Sequence, residues 1–330
     1  MQREEVIIIG SGPCGMSAAI ELQRLGISPL LIEKGNVVNS IYNYPTHQTF
    51  FSSSEKLEIG QIPFITERQK PVRNQALAYY RSVAVREQLR VNAYEKVNEV
   101  TKTEDGFTLE TTKHSGEMQR YAAKDVVIAT GYYDQPNKLG VEGEHLDKVM
   151  HYFKEAHPYF NKDVVVIGGK NSAADATLEL VKAGANVTVL YRGDDYSKSI
   201  KPWILPEFEA LVRKGIVTME FCAQVKRITA QSVVYECGGK EFSVANDFVF
   251  AMTGYRPDHD FLAKMGVEID DATGRPAFDE STMETNVKGI YIAGVIAAGY
   301  NNNEIFIENG RFHGKQLADA IASKNSSKIG

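Results

Sequence analysis

The sequence predicts an α/β protein of two domains with the same plan, one domain being inserted into the other. Each domain is expected to have three layers around a mostly parallel sheet, with a β-meander added. Three observations predict this fold. Residues 10–35 match residues 168–193 without a gap. Each copy follows one apolar strand and contains a second near its end. Two later strands both end in Thr-Gly. A repeat of this length indicates one supersecondary unit that is used twice.

Each copy of the repeat has the pattern of a βαβ unit. The copies contain short apolar runs, rich in β-branched residues as strands are: Val6–Ile9, Pro29–Ile32, Val164–Ile167 and Val187–Leu190. Between the runs, a glycine turn leads into a helical pattern that stops at Gly26 in the first copy and at Gly184 in the second. A strand, a helix and a second strand in this order predict a parallel crossover.

Strands that end in glycine recur after each copy. Val126–Ile128 runs into Gly131, and Phe248–Met252 runs into Gly254. A backbone that passes close to a ligand needs glycine at such a strand end. A last strand, Gly289–Ala293, leads to a helical stretch from about residue 303 to residue 322.

This order of elements predicts the domain boundaries. A discontinuous first domain is expected to contain residues 1–135 and 256–330, and the inserted second domain to contain residues 136–255.

Gly10, Gly12 and Gly15 form a GxGxxG motif at the start of the first helix. In this motif the first glycine permits a tight turn, the second lets the backbone approach a pyrophosphate, and the third lets the helix pack on the strand. Glu33 ends the next strand, where a carboxylate accepts hydrogen bonds from ribose hydroxyls. The first domain is therefore predicted to be a Rossmann-like nucleotide-binding domain for a dinucleotide.

The second copy differs at the positions that select the nucleotide. Gly168 and Ala173 hold the first and third glycine positions, but Lys170 replaces the middle glycine and is able to bind a phosphate. Tyr191 and Arg192 stand where the first copy has its carboxylate. Loss of the carboxylate and gain of a cation suit a ribose 2′-phosphate, so this second Rossmann-like domain is predicted to bind NADPH. The alternative for Arg192, and for Lys198 downstream, is a solvated basic loop.

Composition and charge argue against several classes of protein. The 330 residues include 37 basic and 42 acidic side chains, and a net charge of −5 argues against nucleic-acid binding. The longest uncharged stretches, Val6–Ile20 and Gly289–Asn303, are too short and too rich in glycine to span a bilayer. Seven histidines show no metal-ligand spacing, and three cysteines without a CxxC indicate the reducing cytoplasm.

The motifs together resemble those of the two-dinucleotide-binding flavoproteins, which include thioredoxin reductases and flavin monooxygenases. The resemblance covers essentially the whole chain. It is most specific for the bacillithiol-disulfide reductase family of low-GC Gram-positive bacteria, through GSGPCGMSAA, NYPTHQTFFSSSEKLEIG, VIGGKNSA and IAGVIAAGYNNNEIFIENG. It implies FAD in the first domain, NADPH in the second, reduction of an oxidised low-molecular-weight thiol, and a homo-oligomer, either a dimer or a tetramer.

Matching these motifs residue by residue implies two sets of cofactor-binding residues. The FAD set is Gly10, Gly12, Pro13, Cys14, Gly15, Glu33, Lys34, Thr130, Gly131, Gly294 and Ile305. The NADPH set is Gly168, Lys170, Asn171, Ser172, Ala173, Tyr191, Arg192, Lys198 and Gly254.

The chain departs from its relatives' patterns in three places. Thioredoxin reductases carry a CxxC in the NADPH domain, and this sequence has none. The last FAD motif usually has an aspartate after its glycine, but Val295 follows Gly294, so other groups must bind part of the ribitol chain. Monooxygenases show FxGxxxHxxxY between the glycine motifs; His151 lies near the right place, but its neighbours do not fit.

Cys14 allows two interpretations. It lies at the start of the first helix, where the helix dipole lowers the pKa of a thiol and favours the reactive thiolate. In that case Cys14 is catalytic and forms a mixed disulfide. Otherwise it is a small packing residue, like its repeat partner Ser172, and the acceptor reacts at the flavin directly. Cys222 and Cys237 are expected to pack in or near strands.

Two other functions stay open on the sequence. A ferredoxin/flavodoxin-NADP reductase of the thioredoxin-reductase type also lacks CxxC, but should show a basic docking patch for its acidic partner. An NADPH-sensing binding protein without turnover is the second alternative, if Val295 signals that FAD has been lost.

Overall fold

The computed structural model describes residues 1–301 and 303–326. The chain divides into two compact units. Unit 1 contains Met1–Tyr42, His47–Gln135 and the chain from Arg256 onward, and unit 2 contains Asn43–Thr46 and Pro136–Tyr255. The four residues 43–46 were predicted to be in the first domain. They belong to unit 2, where the N–H of Thr46 donates to the carbonyl of Lys154 at 2.9 Å.

The elements alternate between strands and helices along much of the chain. The strands are β1 (Gln2–Ile9), β2 (Leu30–Glu33), β3 (Arg90–Ala93), β4 (Glu95–Thr103), β5 (Gly106–Lys113), β6 (Met118–Ile128), β7 (Val149–Met150), β8 (Asp163–Ile167), β9 (Asn186–Leu190), β10 (Val217–Glu220), β11 (Gln224–Ile228), β12 (Ser232–Cys237), β13 (Lys240–Ala245), β14 (Phe248–Ala251) and β15 (Ile290–Ile292). The helices are α1 (Pro13–Arg24), α2 (Asn39–Tyr42), α3 (Arg73–Arg86), α4 (Asn171–Lys182), α5 (Leu205–Arg213), α6 (His259–Lys264), α7 (Ile307–Gly310) and α8 (His313–Ser326).

Unit 1 contains a mixed sheet whose parallel part has the order β3-β2-β1-β6-β15. The first half of β6 pairs antiparallel with β5, which pairs with β4, so the meander is continuous with the parallel strands. Residues 6–9 of β1 are all buried. A strand that is covered on both faces has an unbroken run of apolar residues, so this strand could be predicted from the sequence.

Unit 2 repeats this plan with two separate sheets. The strands β10-β9-β8-β14-β7 are all parallel, and β11-β12-β13 form an antiparallel sheet of their own. Helix α4 joins β8 to β9 as α1 joins β1 to β2. Each unit thus has a mostly parallel set of strands and an antiparallel meander, which confirms the predicted α/β fold class.

The end of the chain differs from its prediction. One helix was expected from about residue 303 to residue 322, but the structure has a single turn, α7, and then α8. Arg311 lies in the break, and its guanidinium donates to the carbonyls of Glu55 and Glu58. A Cβ on Gly314 would be 2.8 Å from the backbone nitrogen of Ala18, so α8 packs directly on α1. These tertiary contacts outweigh the local preference for one continuous helix.

Candidate functional site

The glycines of the first repeat lie where β1, α1 and the end of β6 meet. Gly10 has a φ of +105°, and a Cβ added to it would be 2.5 Å from the carbonyl oxygen of Ala129. A Cβ on Gly15 would be 2.2 Å from the carbonyl oxygen of Gly10. Because a side chain at either position would collide with backbone, only glycine allows this turn and this approach of α1 to the sheet.

Gly12 differs from these two glycines because it faces open space. It precedes α1 with extended backbone, at φ −71° and ψ 174°, and a Cβ placed on it would have no atom within 4 Å. Pro13 occupies the first turn, and no side chain caps the helix. The free N–H groups at the start of α1 are therefore available to an anionic group.

Glu33 is buried at the end of β2 and holds the glycine loop in place. One carboxylate oxygen accepts the N–H of Ser11 at 2.9 Å, and the other accepts the N–H of Gly35 at 2.8 Å. An ionised carboxylate has about four lone-pair sites, so acceptor capacity remains for ribose hydroxyls. The next residue, Lys34, forms an ion pair with Asp134, and burial lowers its pKa.

Thr130 follows β6 and has a buried hydroxyl without a hydrogen-bond partner in the described part of the chain. Gly131, beside it, has a φ of +69°, and a Cβ placed there would meet nothing within 4 Å. An unsatisfied buried hydroxyl is costly, so it indicates a polar group that completes the site. The unpaired hydroxyl and the open backbone at Gly12 and Gly131 fit the polar middle part of FAD.

The sulfur of Cys14 lies against the residues around Gly294 and Gly310, which we call the closing segment of unit 1. A Cβ added to Gly294 or to Gly310 would be 3.0 Å from this sulfur, and the buried Ile305 packs on Gly310 as well. Although Cys14 as a residue is partly exposed, burial of its thiol raises the pKa to about 12, and the charge of Glu308 adds to this. The pKa of this thiol is therefore raised and not lowered as the reactive interpretation of Cys14 expects, because burial disfavours the thiolate.

Three polar residues near this segment were missed by the sequence reasoning. The hydroxyl of Ser52 donates to the carboxylate of Glu308. His313 begins α8, and its Nδ1 accepts the N–H of Gly294 at 3.2 Å; burial lowers the pKa of His313, which favours the neutral ring with its proton on Nε2. No spacing rule identifies these residues, although Ser52 and Glu308 lie in two of the motifs that carry the family resemblance.

The second repeat reproduces the turn of the first. A Cβ on Gly168, at φ +143°, would be 2.5 Å from the carbonyl oxygen of Met252, the same distance as in the first repeat. The N–H of Gly168 donates to the carbonyl of Leu190 at 3.0 Å, as that of Gly10 does to β2. Ala173 is fully buried at the third position, so α4 lies far enough from the turn to admit one methyl group.

The residues at the start of α4 divide into two groups. Lys170 precedes the helix with extended backbone, and both it and Ser172 are exposed. Asn171 has a different role, because its side chain is used within unit 2: Nδ2 donates to the carbonyl of Ser199 at 2.9 Å, and Oδ1 accepts the N–H of Lys201 at 2.8 Å. Asn171 therefore holds the loop after β9 against α4.

Tyr191 lies across the glycine-rich loop of unit 2. A Cβ added to Gly169 would be 2.3 Å from its ring, and a Cβ added to Gly193 would be 2.5 Å from the other edge of the ring. The tyrosine therefore occupies the space that side chains at both positions would need. This explains two glycines to which the sequence reasoning gave no role.

Arg192 and Lys198 are exposed, and the described residues offer neither of them a hydrogen bond or an ion pair. Lys201 lies 6.0 Å from the centre of the Trp203 ring. Gly254 has a φ of +85°, and its carbonyl accepts the N–H of Asn137 at 2.9 Å. The two exposed cations follow the end of β9, so both are available to a phosphate.

Residues 1–301 and 303–326 show neither a membrane span nor a metal site. No helix there is long and apolar enough to cross a membrane. Within the same ranges, no group of three or more histidine, cysteine, aspartate or glutamate side chains is arranged to hold a metal ion. The prediction that Cys222 packs in a strand is wrong, because this residue is exposed in the turn after β10.

Comparisons with known proteins identify the family of this chain. A family model described as Pyridine nucleotide-disulphide oxidoreductase matches residues 7–294. A curated protein of Bacillus subtilis, named Bacilliredoxin reductase Bdr, is 66% identical over 328 residues, which cover 99% of this chain and 100% of the relative.

Two solved structures also align with nearly the whole chain. Bacillithiol Disulfide Reductase Bdr (YpdA) from Bacillus cereus is 66% identical, with a TM-score of 0.97 over 98% of this chain and 100% of its own. The protein of the same name from Staphylococcus aureus is 59% identical, with a TM-score of 0.94 over 98% of this chain and 99% of its own.

Proposed function

Because the chain belongs to the pyridine nucleotide-disulphide oxidoreductase family, we propose that it uses NADPH and FAD to reduce bacillithiol disulfide to the thiol. The chain is an oxidoreductase, and members of this family work with a flavin and a nicotinamide nucleotide. The choice of FAD and NADPH, and of bacillithiol disulfide, is the proposal. The substrate is taken from the names of the Bacillus cereus and Staphylococcus aureus relatives.

The observation that carries the proposal is the duplicated turn. A Cβ added to Gly10 or to Gly168 would be 2.5 Å from a strand-end carbonyl oxygen in both cases, which supports a dinucleotide site in each unit. In unit 1 the strand after the turn ends in the buried carboxylate of Glu33, which suits a plain ribose such as that of FAD. In unit 2 the corresponding strand is followed by the exposed Arg192, which suits a 2′-phosphate.

The chain's own residues bind and orient the cofactors. The first-turn N–H groups after Gly12 bind a pyrophosphate, Glu33 accepts ribose hydroxyls, and Thr130 gains the partner that its buried hydroxyl lacks. In unit 2, Lys170 and Arg192 contribute positive charge for the phosphates of NADPH. When bound, the flavin supplies the chemistry itself, which is to accept hydride from NADPH and pass electrons to a disulfide.

Cys14 is the residue that we assign to attack the disulfide. Its thiol is protonated at neutral pH, so attack requires a base to take the proton. Glu308, which accepts a hydrogen bond from Ser52, is the carboxylate whose charge acts on this thiol. The proton would pass to Glu308, the thiolate would attack one sulfur of the substrate to form a mixed disulfide with Cys14, and the other half would leave as a thiolate. The second thiol would be released, and Cys14 restored, when this mixed disulfide takes up the two electrons that the reduced flavin would supply.

The test of the function is NADPH oxidation by the purified protein under anaerobic conditions. We expect visible flavin absorbance and rapid oxidation of NADPH with bacillithiol disulfide, and slow oxidation with oxidised glutathione. An oxidised bacilliredoxin is the second acceptor to test, since the Bacillus subtilis relative is named for it. Turnover with ferredoxin and none with any disulfide would refute the proposal, and a protein without flavin would support the NADPH-sensor alternative.

Replacing Arg192 with glutamate is expected to weaken use of NADPH selectively. A charge-assisted hydrogen bond is worth about 1.5–3 kcal/mol, so the KM for NADPH should rise about 10- to 100-fold, with that for NADH little changed. The control is Arg213→Glu, which reverses another exposed charge of unit 2 and should leave both values as they are. A wild-type protein that prefers NADH would contradict the role of Arg192.

A cytoplasmic location and assembly into a dimer or tetramer stay predictions. Gel filtration and light scattering of the flavin-loaded protein measure the second of these. The names of the relatives that align with 98–99% of this chain support the disulfide reductase over the ferredoxin reductase.

A further inference from the structure

His151 lies at the end of the edge strand of the parallel sheet in unit 2, and its ring nitrogens have no partner. It follows β7 directly, and its side chain is only 10% exposed. Both Nδ1 and Nε2 are buried without a hydrogen-bond partner among the described residues. A buried polar group of this kind costs free energy until a partner is supplied. The proposed reaction gives this histidine no role.

The carboxylate of Glu144 faces this ring. Its Oε1 lies 3.5 Å from Nε2 of His151, beyond the ~2.7–3.2 Å of a hydrogen bond. The same carboxylate accepts the N–H of Leu139 at 2.7 Å and the N–H of Gly140 at 2.8 Å. In the described part of the chain, His151 is the only residue within ion-pair distance of Glu144. Glu144 therefore holds the turn at residues 139–140 and keeps room for one more donor.

The charge on the ring decides whether the two side chains join. Burial lowers the pKa of His151 most, the charge of Lys138 lowers it further, and the charge of Glu144 opposes both. The ring is therefore neutral at neutral pH, and the negative charge of Glu144 is uncompensated. At lower pH both ring nitrogens carry a proton, so Nε2 donates to Oε1 and a charge-assisted hydrogen bond closes the gap.

The end of β7 lies near the turn that we assign to NADPH. Met150 pairs with Phe250 of β14, so His151 follows in register with Ala251. The next residue of this strand end, Met252, has the carbonyl oxygen that a Cβ on Gly168 would meet. Since β14 also pairs with β8, the ends of β7 and β8 are two strand spacings of ~4.8 Å apart. A change of charge at His151 is therefore felt at the nucleotide edge of the sheet.

Hydrogen bonds join the pair to this strand end from two sides. The turn that Glu144 holds follows Asn137, whose Nδ2 donates to the carbonyl of Thr253 at 3.1 Å. On the other side, the hydroxyl of Tyr255 donates to the carbonyl of His151 at 3.2 Å. The backbone after β14 is thus fixed by the segments that carry Glu144 and His151.

We propose that His151 and Glu144 are positioning residues for NADPH, and that protonation of His151 closes the pair and strengthens binding of the nucleotide. The proposal deepens the proposed function and rests on it. Closure removes the uncompensated charge of Glu144 from the edge where an anionic nucleotide binds, and it holds the turn after Asn137 more firmly. By reciprocity, the bound nucleotide favours uptake of a proton by His151.

The test measures the dissociation constant of NADP+ with the flavin-loaded protein by titration calorimetry, between about pH 5 and pH 8. His151→Gln keeps a polar side chain that is not protonated in this range. Because the 2′-phosphate of the ligand itself titrates near pH ~6, wild type and variant are compared at each pH. We expect equal affinities at the upper end, and at the lower end an affinity at least about 5-fold higher in wild type.

Two further variants separate the pair from a general effect of histidine. His145→Gln removes an exposed histidine next to Glu144 and should bind NADP+ as wild type does at every pH. Glu144→Gln should lose the enhancement at low pH, because the buried ring then has no negative charge to favour its protonation. An NMR titration of the wild-type histidine rings should show a higher pKa for His151 with NADP+ than without it.

The outcomes distinguish this proposal from the proposed function. Tight binding of NADP+ with the same pH dependence in wild type and His151→Gln would overturn the pair and leave the proposed function standing. A pKa of His151 that NADP+ leaves unchanged would have the same meaning. Absence of NADP+ binding at every pH would reject both, since the pair acts on that nucleotide site.

Discussion

Replacing Gly12 with valine is expected to give a folded protein that has lost its flavin. In the structure, a side chain at Gly12 would meet no atom of the protein, and the backbone at φ −71° suits valine. The same side chain would stand where the pyrophosphate approaches the start of α1, and crowding of this kind costs about 1–3 kcal/mol or more. We expect flavin binding to weaken by at least about 10- to 100-fold. Visible absorbance of the purified protein, calibrated on released flavin, measures the loss.

The control for Gly12→Val is wild-type protein from which the flavin has been removed. Both should unfold at the same temperature, because the valine contacts only solvent in the empty site. Gly15→Ala provides the contrast, since its Cβ would be 2.2 Å from a backbone oxygen and should lower stability even without flavin. Full flavin occupancy in Gly12→Val would mean that the first dinucleotide site has been placed wrongly.

Cys14→Ala should abolish disulfide-dependent oxidation of NADPH while leaving bound flavin and its reduction by NADPH intact. The thiol lies against Gly294 and Gly310, so alanine leaves a small cavity and creates no clash. Stopped-flow absorbance reports flavin reduction, and steady-state assays report disulfide turnover. If the alanine variant reduces disulfides at the full rate, Cys14 is a packing residue and the acceptor meets the flavin directly.

The pH dependence of Cys14 alkylation checks the same residue without turnover. Burial and then Glu308 raise the pKa of this thiol to about 12, so the alkylation rate should stay low at neutral pH. It should increase only at pH values above the ~8.5 of a free thiol. Glu308→Gln removes the negative charge, so the rise should begin at a lower pH, although disulfide turnover falls because the base has been lost. Faster turnover in that variant would contradict the role of Glu308.

The two parallel-sheet units were predictable because each rests on short-range signals. The runs 6–9 and 164–167 are buried on both faces of their sheets, so their apolar pattern is unbroken. At positions 10, 15 and 168, a side chain would be too close to a backbone oxygen, so only glycine fits. Because the turn requires glycine at these places, the glycines occur in the sequence at a recognisable spacing.

What the sequence could not predict depends on long-range contacts. The pKa of Cys14 follows from the closing segment, which the chain brings back from almost 300 residues away. The same is true of the hydrogen bond from Ser52 to Glu308, which joins residues 256 positions apart. Local rules describe the start of α1, where the dipole favours the thiolate, but they do not include the burial of this thiol, which raises its pKa.

The position of Tyr191 has a consequence for how this protein tolerates mutation. The Tyr191 ring leaves no room for a side chain at Gly169 or at Gly193. Neither glycine has the left-handed backbone that favours glycine. Which residues are tolerated at positions 169 and 193 therefore depends on the residue at position 191. With a small residue at position 191, both sites would accept alanine. With Tyr191 in place, an alanine at either site must displace the ring. A mutational library built on single changes would score both glycines as essential, and one built on triple changes would show that the three positions vary together as a single epistatic group.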